Sequence, residues 1–173
     1  MKMKHFVSVV ILCLTPILLA ACYKLHPVAY IPKDISSSGF TAKKLSQVSV
    51  STSNDGNIDG IFDADAYRIA LEQVLKKAGL FKKDELNGLT LEANITKLYT
   101  TKVGFEMTVA LNVRYQVTEK SGRKLFTEEV KTEEKAPPSE AFTGGQRAYN
   151  AWDRARQNHM NVLVGKLGMV LAQ

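Results

Sequence analysis

The feature that most constrains the fold is a run of alternating apolar residues between positions 103 and 117. Eight apolar side chains occupy every second position of this run: Val103, Phe105, Met107, Val109, Leu111, Val113, Tyr115 and Val117. Since successive side chains of a strand point to opposite faces of a sheet, this spacing predicts one long strand with one buried face. The intervening polar residues, among them Thr108, Asn112 and Arg114, are expected on the other face. The apolar face needs a covering layer.

Three further segments predict the other strands of this sheet. Residues 45–51 and 89–96 both alternate apolar with polar side chains, which is typical of half-buried strands. Residues 119–123, which include Gly122, predict a hairpin turn into a fourth strand. Pro137 and Pro138 then end that strand, because proline has no backbone N–H to donate to a neighbouring strand.

Two segments show the helical spacing of apolar residues instead. The first runs from Asp63, its predicted N-cap, to Gly79, its predicted end, and the second begins at Thr143 and Gln146, which have capping-box spacing. The predicted apolar side of the second helix is formed by Ala148, Trp152, Ala155, His159, Val162, Leu163, Leu167 and Val170. The order strand, helix, three strands, helix predicts an α+β two-layer sandwich. Both helices would cover one face of a four-stranded, mainly antiparallel sheet.

The N-terminus has the layout of a secretory signal peptide. Lys2 and Lys4 precede a mainly apolar stretch over residues 6–21. This stretch is shorter than the roughly 20 apolar residues that a membrane-spanning helix needs. It ends in Leu19, Ala20, Ala21 and Cys22, which together resemble the lipobox of bacterial lipoproteins. That resemblance implies transfer of a diacylglyceryl group to the Cys22 thiol and cleavage after Ala21.

The same resemblance implies a compartment. In enterobacterial lipoproteins an Asp after the lipidated cysteine usually signals retention in the inner membrane, whereas this sequence has Tyr23. We therefore expect a protein anchored in the outer membrane through its N-terminal acyl chains, with its domain in the periplasm. The predicted organisation is a signal peptide (1–21), a lipidated N-terminus with a flexible tether (22–43) and a single domain (44–173). Such a tether has an expected reach of about 25 Å.

Composition excludes several classes of site. The sequence contains two cysteines and three histidines, which are too few for zinc fingers or iron–sulfur clusters. Removal of the signal peptide, with Lys2 and Lys4, leaves 21 basic and 17 acidic residues, and a net charge of +4 is too small to indicate nucleic-acid binding. Residues 55–60 match the first half of an EF-hand loop, but the twelfth position is Ala66, where calcium requires a carboxylate. We expect no metal and no cofactor.

Two groups of side chains are candidates for a functional site. His159 lies in the apolar side of the last predicted helix, and the only other histidine outside the signal peptide is His26 in the predicted tether, so no catalytic set can be assembled and we expect no enzyme. Arg147, Arg154 and Arg156 are a candidate basic surface for anionic lipid. The alternative for these arginines is a solvated face of mixed charge, since Asp153 lies among them.

The element order resembles that of small proteobacterial envelope lipoproteins. These include the YajG type and, in topology, the lipopolysaccharide-assembly lipoproteins that plug an outer-membrane barrel. The spacing that carries the resemblance comprises Phe62, Asp63, Ala70, Leu71, Gly79, Leu80, Phe142, Gly145, Arg147, Ala151, Ala155 and Asn158. It implies a non-enzymatic accessory or binding subunit of an outer-membrane or transport assembly, with an envelope protein as partner. The alternative is a carrier of lipid or lipopolysaccharide.

Overall fold

The computed structural model describes residues 43–53, 63–83, 88–103 and 105–172. The elements are β1 (Leu45–Thr52), α1 (Ala64–Lys77), β2 (Leu89–Val103), β3 (Glu106–Thr118), β4 (Lys124–Ala136), a 3₁₀ turn (Pro138–Glu140) and α2 (Gly144–Leu171). The predicted order and the α+β class are confirmed. The signal peptide, the lipobox with Cys22 and nearly all of the tether lie outside the described residues, so the statements about them remain predictions.

The sheet is mixed, with the strand order β1-β2-β3-β4. The pairs β2–β3 and β3–β4 are antiparallel, which confirms a mainly antiparallel sheet. The pair β1–β2 is parallel, with Leu45 opposite Leu89. Helix α1 lies between β1 and β2 in the chain, and a strand that returns to the sheet after a crossover helix runs parallel to the strand before it.

The prediction of one strand over residues 103–117 is wrong at its start. Val103 ends β2, and the chain reverses so that Val103 pairs with Glu106 at the beginning of β3. Phe105 lies in this turn and is 73% exposed. Strand β2 is consequently 15 residues long. A bulge after Ile95 shifts its alternation, which is why the period-two pattern did not reveal its second half.

Both helices pack on the same face of the sheet. Tyr67 of α1 and His159 of α2 form hydrogen bonds to the same atom, Tyr115 Oη of β3. The buried apolar side chains that the sheet contributes to this face include Leu89, Leu91, Ala93, Ile95, Val109, Leu111, Val113 and Val117. These are the inward positions that the alternation predicted.

The opposite face of the sheet, which we call the outer face, differs in one respect from the prediction. Asn112 is half-buried and Arg114 is exposed, as expected for polar residues on this side. Thr108 and Ala110 lie on the same side but are buried. Both side chains are short and have residues of β2 and β4 in register on either side, so their neighbours shield them.

Both predicted N-cap residues are confirmed, although the Gln146 side chain donates to Asn150 Oδ1 and does not complete a capping box. The Asp63 side chain accepts hydrogen bonds from two backbone N–H groups at the start of α1, and Thr143 Oγ1 accepts from Gln146 N at the start of α2. The predicted apolar side of α2 is confirmed only in part. Ala155, His159, Leu163 and Leu167 are buried, whereas Ala148, Trp152 and Val170 are half-buried and Val162 is 45% exposed. Among the described helices, none combines the length and the apolar composition that a membrane crossing requires.

Candidate functional site

The three arginines that are candidates for a basic surface lie in different environments. Arg156 is 2% exposed and Arg147 is 8% exposed. Arg154 is more accessible, but its guanidinium is paired with the Glu140 carboxylate. These side chains therefore do not form a shared exposed basic surface, because two are buried and the third is held by an acidic partner.

Two of these arginines form hydrogen bonds that hold the connection between β4 and α2 in place. Arg147 Nη1 donates to the backbone carbonyls of Ala141 at 2.6 Å and Phe142 at 3.4 Å. Arg154 donates to both carboxylate oxygens of Glu140, and its Nη2 also donates to the Lys135 carbonyl at 2.8 Å. Bidentate arginine–carboxylate pairs of this kind fix geometry as well as adding energy. The hydrogen bond from Arg154 lowers the pKa of Glu140, so this carboxylate is charged at neutral pH.

The same connection is stiffened by its own backbone. Pro137 and Pro138 have fixed φ angles, and Glu140 N donates to the Pro137 carbonyl at 3.1 Å. The cap at Thr143 then fixes the first turn of α2. The segment from 137 to 143 is thus held by its own turn, by a helix cap and by two arginines.

Two phenylalanines are exposed at this end of the domain. Phe142, in the β4–α2 connection, is 101% exposed, and Phe105, in the β2–β3 turn, is 73% exposed. Met107 pairs with Ala136 at the end of β4, so the turn and the connection lie at the same end of the sheet. We call this surface, formed by Phe105 and residues 137–143, the aromatic end.

The catalytic candidate His159 is a core residue. His159 is 0% exposed, its Nε2 lies 2.8 Å from Tyr115 Oη, and its Nδ1 lies 3.0 Å from Thr132 Oγ1. Tyr115 Oη also lies 2.6 Å from Tyr67 Oη. Burial lowers the pKa of His159 to about 3, and burial followed by the proximity of Tyr67 raises the pKa of Tyr115 well above its usual value. Both side chains are neutral at physiological pH and inaccessible to a substrate.

The described residues include no group of three or more His, Cys, Asp or Glu side chains arranged to hold a metal ion. Residues 55–60, with the partial resemblance to an EF-hand loop, lie outside the described ranges. The expectation that this segment binds no calcium therefore remains a prediction.

Sequence comparison finds no matching protein-family model and no matching curated protein. Solved structures with a similar fold include protein XCC0632 of Xanthomonas campestris, from family DUF330, with a TM-score of 0.60 and 9% identity over 81% of this chain and 91% of that chain. The hypothetical protein CT253 of Chlamydia trachomatis has a TM-score of 0.55 and 10% identity, covering 75% and 98% of the two chains. A minor lipoprotein of Acinetobacter baumannii has a TM-score of 0.50 and 11% identity, covering 72% and 93%.

These identities are too low to carry function from one protein to another, so the likeness shows the fold alone. The class is a two-layer α+β fold, which the minor lipoprotein of Acinetobacter baumannii shares. The finer resemblance to the YajG type and to the lipopolysaccharide-assembly lipoproteins remains a prediction from the sequence.

Proposed function

We propose that this chain is a lipid-anchored, non-enzymatic lipoprotein of the Gram-negative envelope that acts as an accessory or binding subunit of an outer-membrane or transport assembly. The observation that carries this proposal is the lipobox ending in Cys22, placed directly after a charged and then apolar N-terminal segment. The fold supports it, since a lipoprotein is among the structures that share it.

Lipidation also accounts for the cysteine content of the mature chain. Cys13 lies within the predicted signal peptide, so Cys22 is the one thiol that remains after cleavage. An unpaired thiol is a liability in an oxidising compartment, and a thioether to diacylglycerol removes it. Each buried CH₂ of the acyl chains contributes about 0.8 kcal/mol, so two or three chains give stable anchoring.

The interior of this domain favours the role of a binding subunit over that of a lipid carrier. A carrier needs an apolar cavity, and the space between helices and sheet is the natural place for one in this fold. That space holds the hydrogen-bonded side chains of Tyr67, Tyr115 and His159, each 0% exposed. Contacts with a partner therefore belong on the surface of the domain.

The anchoring is tested by replacing Cys22 with Ser in the full-length protein. The Cys22→Ser variant should incorporate no labelled fatty acid, and it should leave the membrane fraction or keep its signal peptide. The Cys13→Ser variant is the matched control, since its cysteine is removed on cleavage and labelling should be normal. A labelled, processed and membrane-bound Cys22→Ser protein would refute the proposal.

The compartment is tested separately with Tyr23→Asp. If Tyr23 permits release to the outer membrane, Asp at this position should move the lipidated protein to the inner-membrane fraction of a density gradient.

Whether the protein belongs to an assembly is tested by measuring the size of the particle in which the lipidated wild-type protein migrates in mild detergent. A stoichiometric protein partner supports the subunit role, whereas enriched lipid without a protein partner supports the carrier.

A further inference from the structure

We infer that the aromatic end is the docking site for the protein partner, and that Phe105 and Phe142 insert into apolar pockets on that partner. This inference rests on the proposed function, namely that the chain is a subunit of an envelope assembly. It adds which surface makes the contact and which side chains anchor it.

The exposure of the two rings is the first argument. Phe142 is 101% exposed and Phe105 is 73% exposed, although phenylalanine is normally among the more buried residues. Each aromatic side chain offers about 150–250 Å² of surface that a partner can bury. Aromatic residues are enriched at protein–protein interfaces, where a few anchors in pockets contribute most of the binding energy.

The rigidity of the segment that presents Phe142 is the second argument. The carbonyl oxygens of Ala141 and Phe142 both accept from Arg147, and Glu140 is held by Arg154. The backbone is therefore ordered before any partner arrives, while the ring itself projects into solvent. Such preorganisation reduces the entropy lost on docking, which is a property expected of a recognition loop.

The position of the aromatic end is the third argument. It favours another protein as the binding partner, and not the membrane in which this chain is anchored. Leu45 pairs with Leu89, so the chain enters the domain at the end where β2 begins. Strand β2 then runs 15 residues to the aromatic end, a distance of about 45 Å. The predicted tether has an expected reach of about 25 Å. The two rings therefore lie at the end of the sheet opposite to the point where the predicted tether enters the domain.

The charges beside the rings agree with an apolar partner surface. Arg154 is paired with Glu140, and Lys135 lies 3.6 Å from Glu106 across the β3–β4 pair. Among the described side chains, these two cations are each paired with a carboxylate, and Arg147, the other cation beside Phe142, is only 8% exposed and donates to backbone carbonyls. Anionic lipid headgroups would instead be attracted by unpaired cations.

Site-specific photo-crosslinking of the full-length lipidated protein in its native envelope tests this inference. A photoreactive phenylalanine analogue replaces Phe105 or Phe142, and the control position is Ser121 in the exposed turn at the opposite end of the sheet. We expect one and the same protein to be crosslinked from positions 105 and 142 and not from position 121. Crosslinks to lipid, to a second copy of this chain, or equally from position 121 would overturn the inference.

A pair of double variants tests the contribution of the rings. In Phe105→Ser with Phe142→Ser, the melting temperature should stay within a few degrees of the wild type, because exposed side chains contribute little to stability. Affinity for the crosslinked protein should fall about tenfold or more. The matched control is Val162→Ser with Met169→Ser, which changes two exposed apolar side chains of α2 and should retain the partner.

The outcomes of these experiments distinguish failure of the docking-site inference from failure of the proposed function. If the wild type belongs to an assembly and the double phenylalanine variant remains in it at wild-type level, the docking site is wrong and the subunit role stands. If the wild type co-migrates with no protein at all, the subunit role fails, and the docking site fails with it. A large fall in melting temperature for the phenylalanine variant would show that the two rings serve the fold, which also overturns the inference.

Discussion

Tyr115 Oη lies 2.8 Å from His159 Nε2, and this hydrogen bond joins the middle of β3 to α2 inside the core. The same hydroxyl meets Tyr67 of α1, and the other ring nitrogen of His159 meets Thr132 of β4. Four side chains thus connect both helices to two strands. Because buried polar groups are costly without partners, this network favours one arrangement of helices on the sheet over its alternatives.

Replacing Tyr115 with Phe tests that role. The change preserves the shape of the ring but removes the hydrogen bonds that Tyr115 Oη forms with Tyr67 Oη and His159 Nε2, so the buried ring nitrogen of His159 loses this partner. We expect the free energy of unfolding to fall by about 1–3 kcal/mol, the usual cost of an unsatisfied buried polar group. Denaturant titration gives the value. Tyr149→Phe is the control, because Tyr149 is 41% exposed, and equal losses from the two variants would show that the network contributes nothing specific.

The pKa of His159 predicts a pH dependence of stability. Its pKa is about 3 in the folded protein, against 6.5 for an unperturbed histidine, because burial disfavours the charged ring. Between these values the unfolded chain takes up a proton that the folded chain does not. The contribution of His159 to stability is therefore fully present above pH 6.5 and is lost as the pH falls toward 3, with a slope of at most about 1.4 kcal/mol per pH unit.

The measurement is the free energy of unfolding between pH 7 and 5, above the range in which most carboxylates titrate. His159→Gln is the comparison, since glutamine keeps hydrogen-bonding groups but does not titrate. The wild type should lose stability across this range more steeply than the variant. Parallel curves for the two proteins would contradict the assignment of a neutral buried histidine.

The contrast between the two faces of β3 gives a third prediction. Leu111 is 1% exposed and lies against the helices, whereas its neighbour Asn112 is half-buried on the outer face. Leu111→Ala should cost about 2–5 kcal/mol, and Asn112→Thr should change stability by about half a kcal/mol or less. Denaturant unfolding of both variants makes the comparison. Equal destabilisation would mean that both faces are covered, which the two-layer architecture does not allow.

Local signals predicted both helices and the β3–β4 turn, because these depend on residues close in the chain. Asp63 and Thr143 each supply the side-chain oxygen that caps a helix, as their sequence positions indicated. Gly79 has a φ of 76° just after α1, and Gly122 has a φ of 88° in the β3–β4 turn. Left-handed backbone of this kind favours glycine, so both positions are recognisable from the sequence.

Features that depend on residues distant in the chain were harder to predict from the sequence. The alternation over 103–117 continues through Phe105, so the turn there could not be separated from a strand by periodicity alone. The bulge after Ile95 and the parallel pairing of β1 depend on strand partners that periodicity does not identify. Gly104 was the one local sign of a turn within the alternating run.

The same difference between local and long-range features applies to the candidate site. Arginines spaced along a helix indicate positive charge, but the sequence does not reveal that Arg147 would be buried against backbone carbonyls or that Arg154 would meet Glu140. In the sequence, Phe142 is distinguished only as part of a spacing pattern. Its exposure follows from where the β4–α2 connection runs, which depends on the whole fold.

The close approach of β1 to the start of β2 gives the last prediction. A Cβ atom at Gly88 would lie 2.3 Å from Ser46 Cβ and 3.1 Å from the Ser46 backbone nitrogen, so Gly88→Ala must displace β1. We expect a loss of about 1–3 kcal/mol in the free energy of unfolding, the usual cost of overpacking. Adding Ser46→Gly removes the nearer clash and should restore part of that loss. Gly165→Ala is the matched control, because no atom lies within 4 Å of the added Cβ on the exposed side of α2, and it should gain about 1 kcal/mol from helix propensity. If Gly88→Ala were as stable as the wild type, β1 would not lie this close to Gly88, and the parallel register of β1 against β2 would need to be revised.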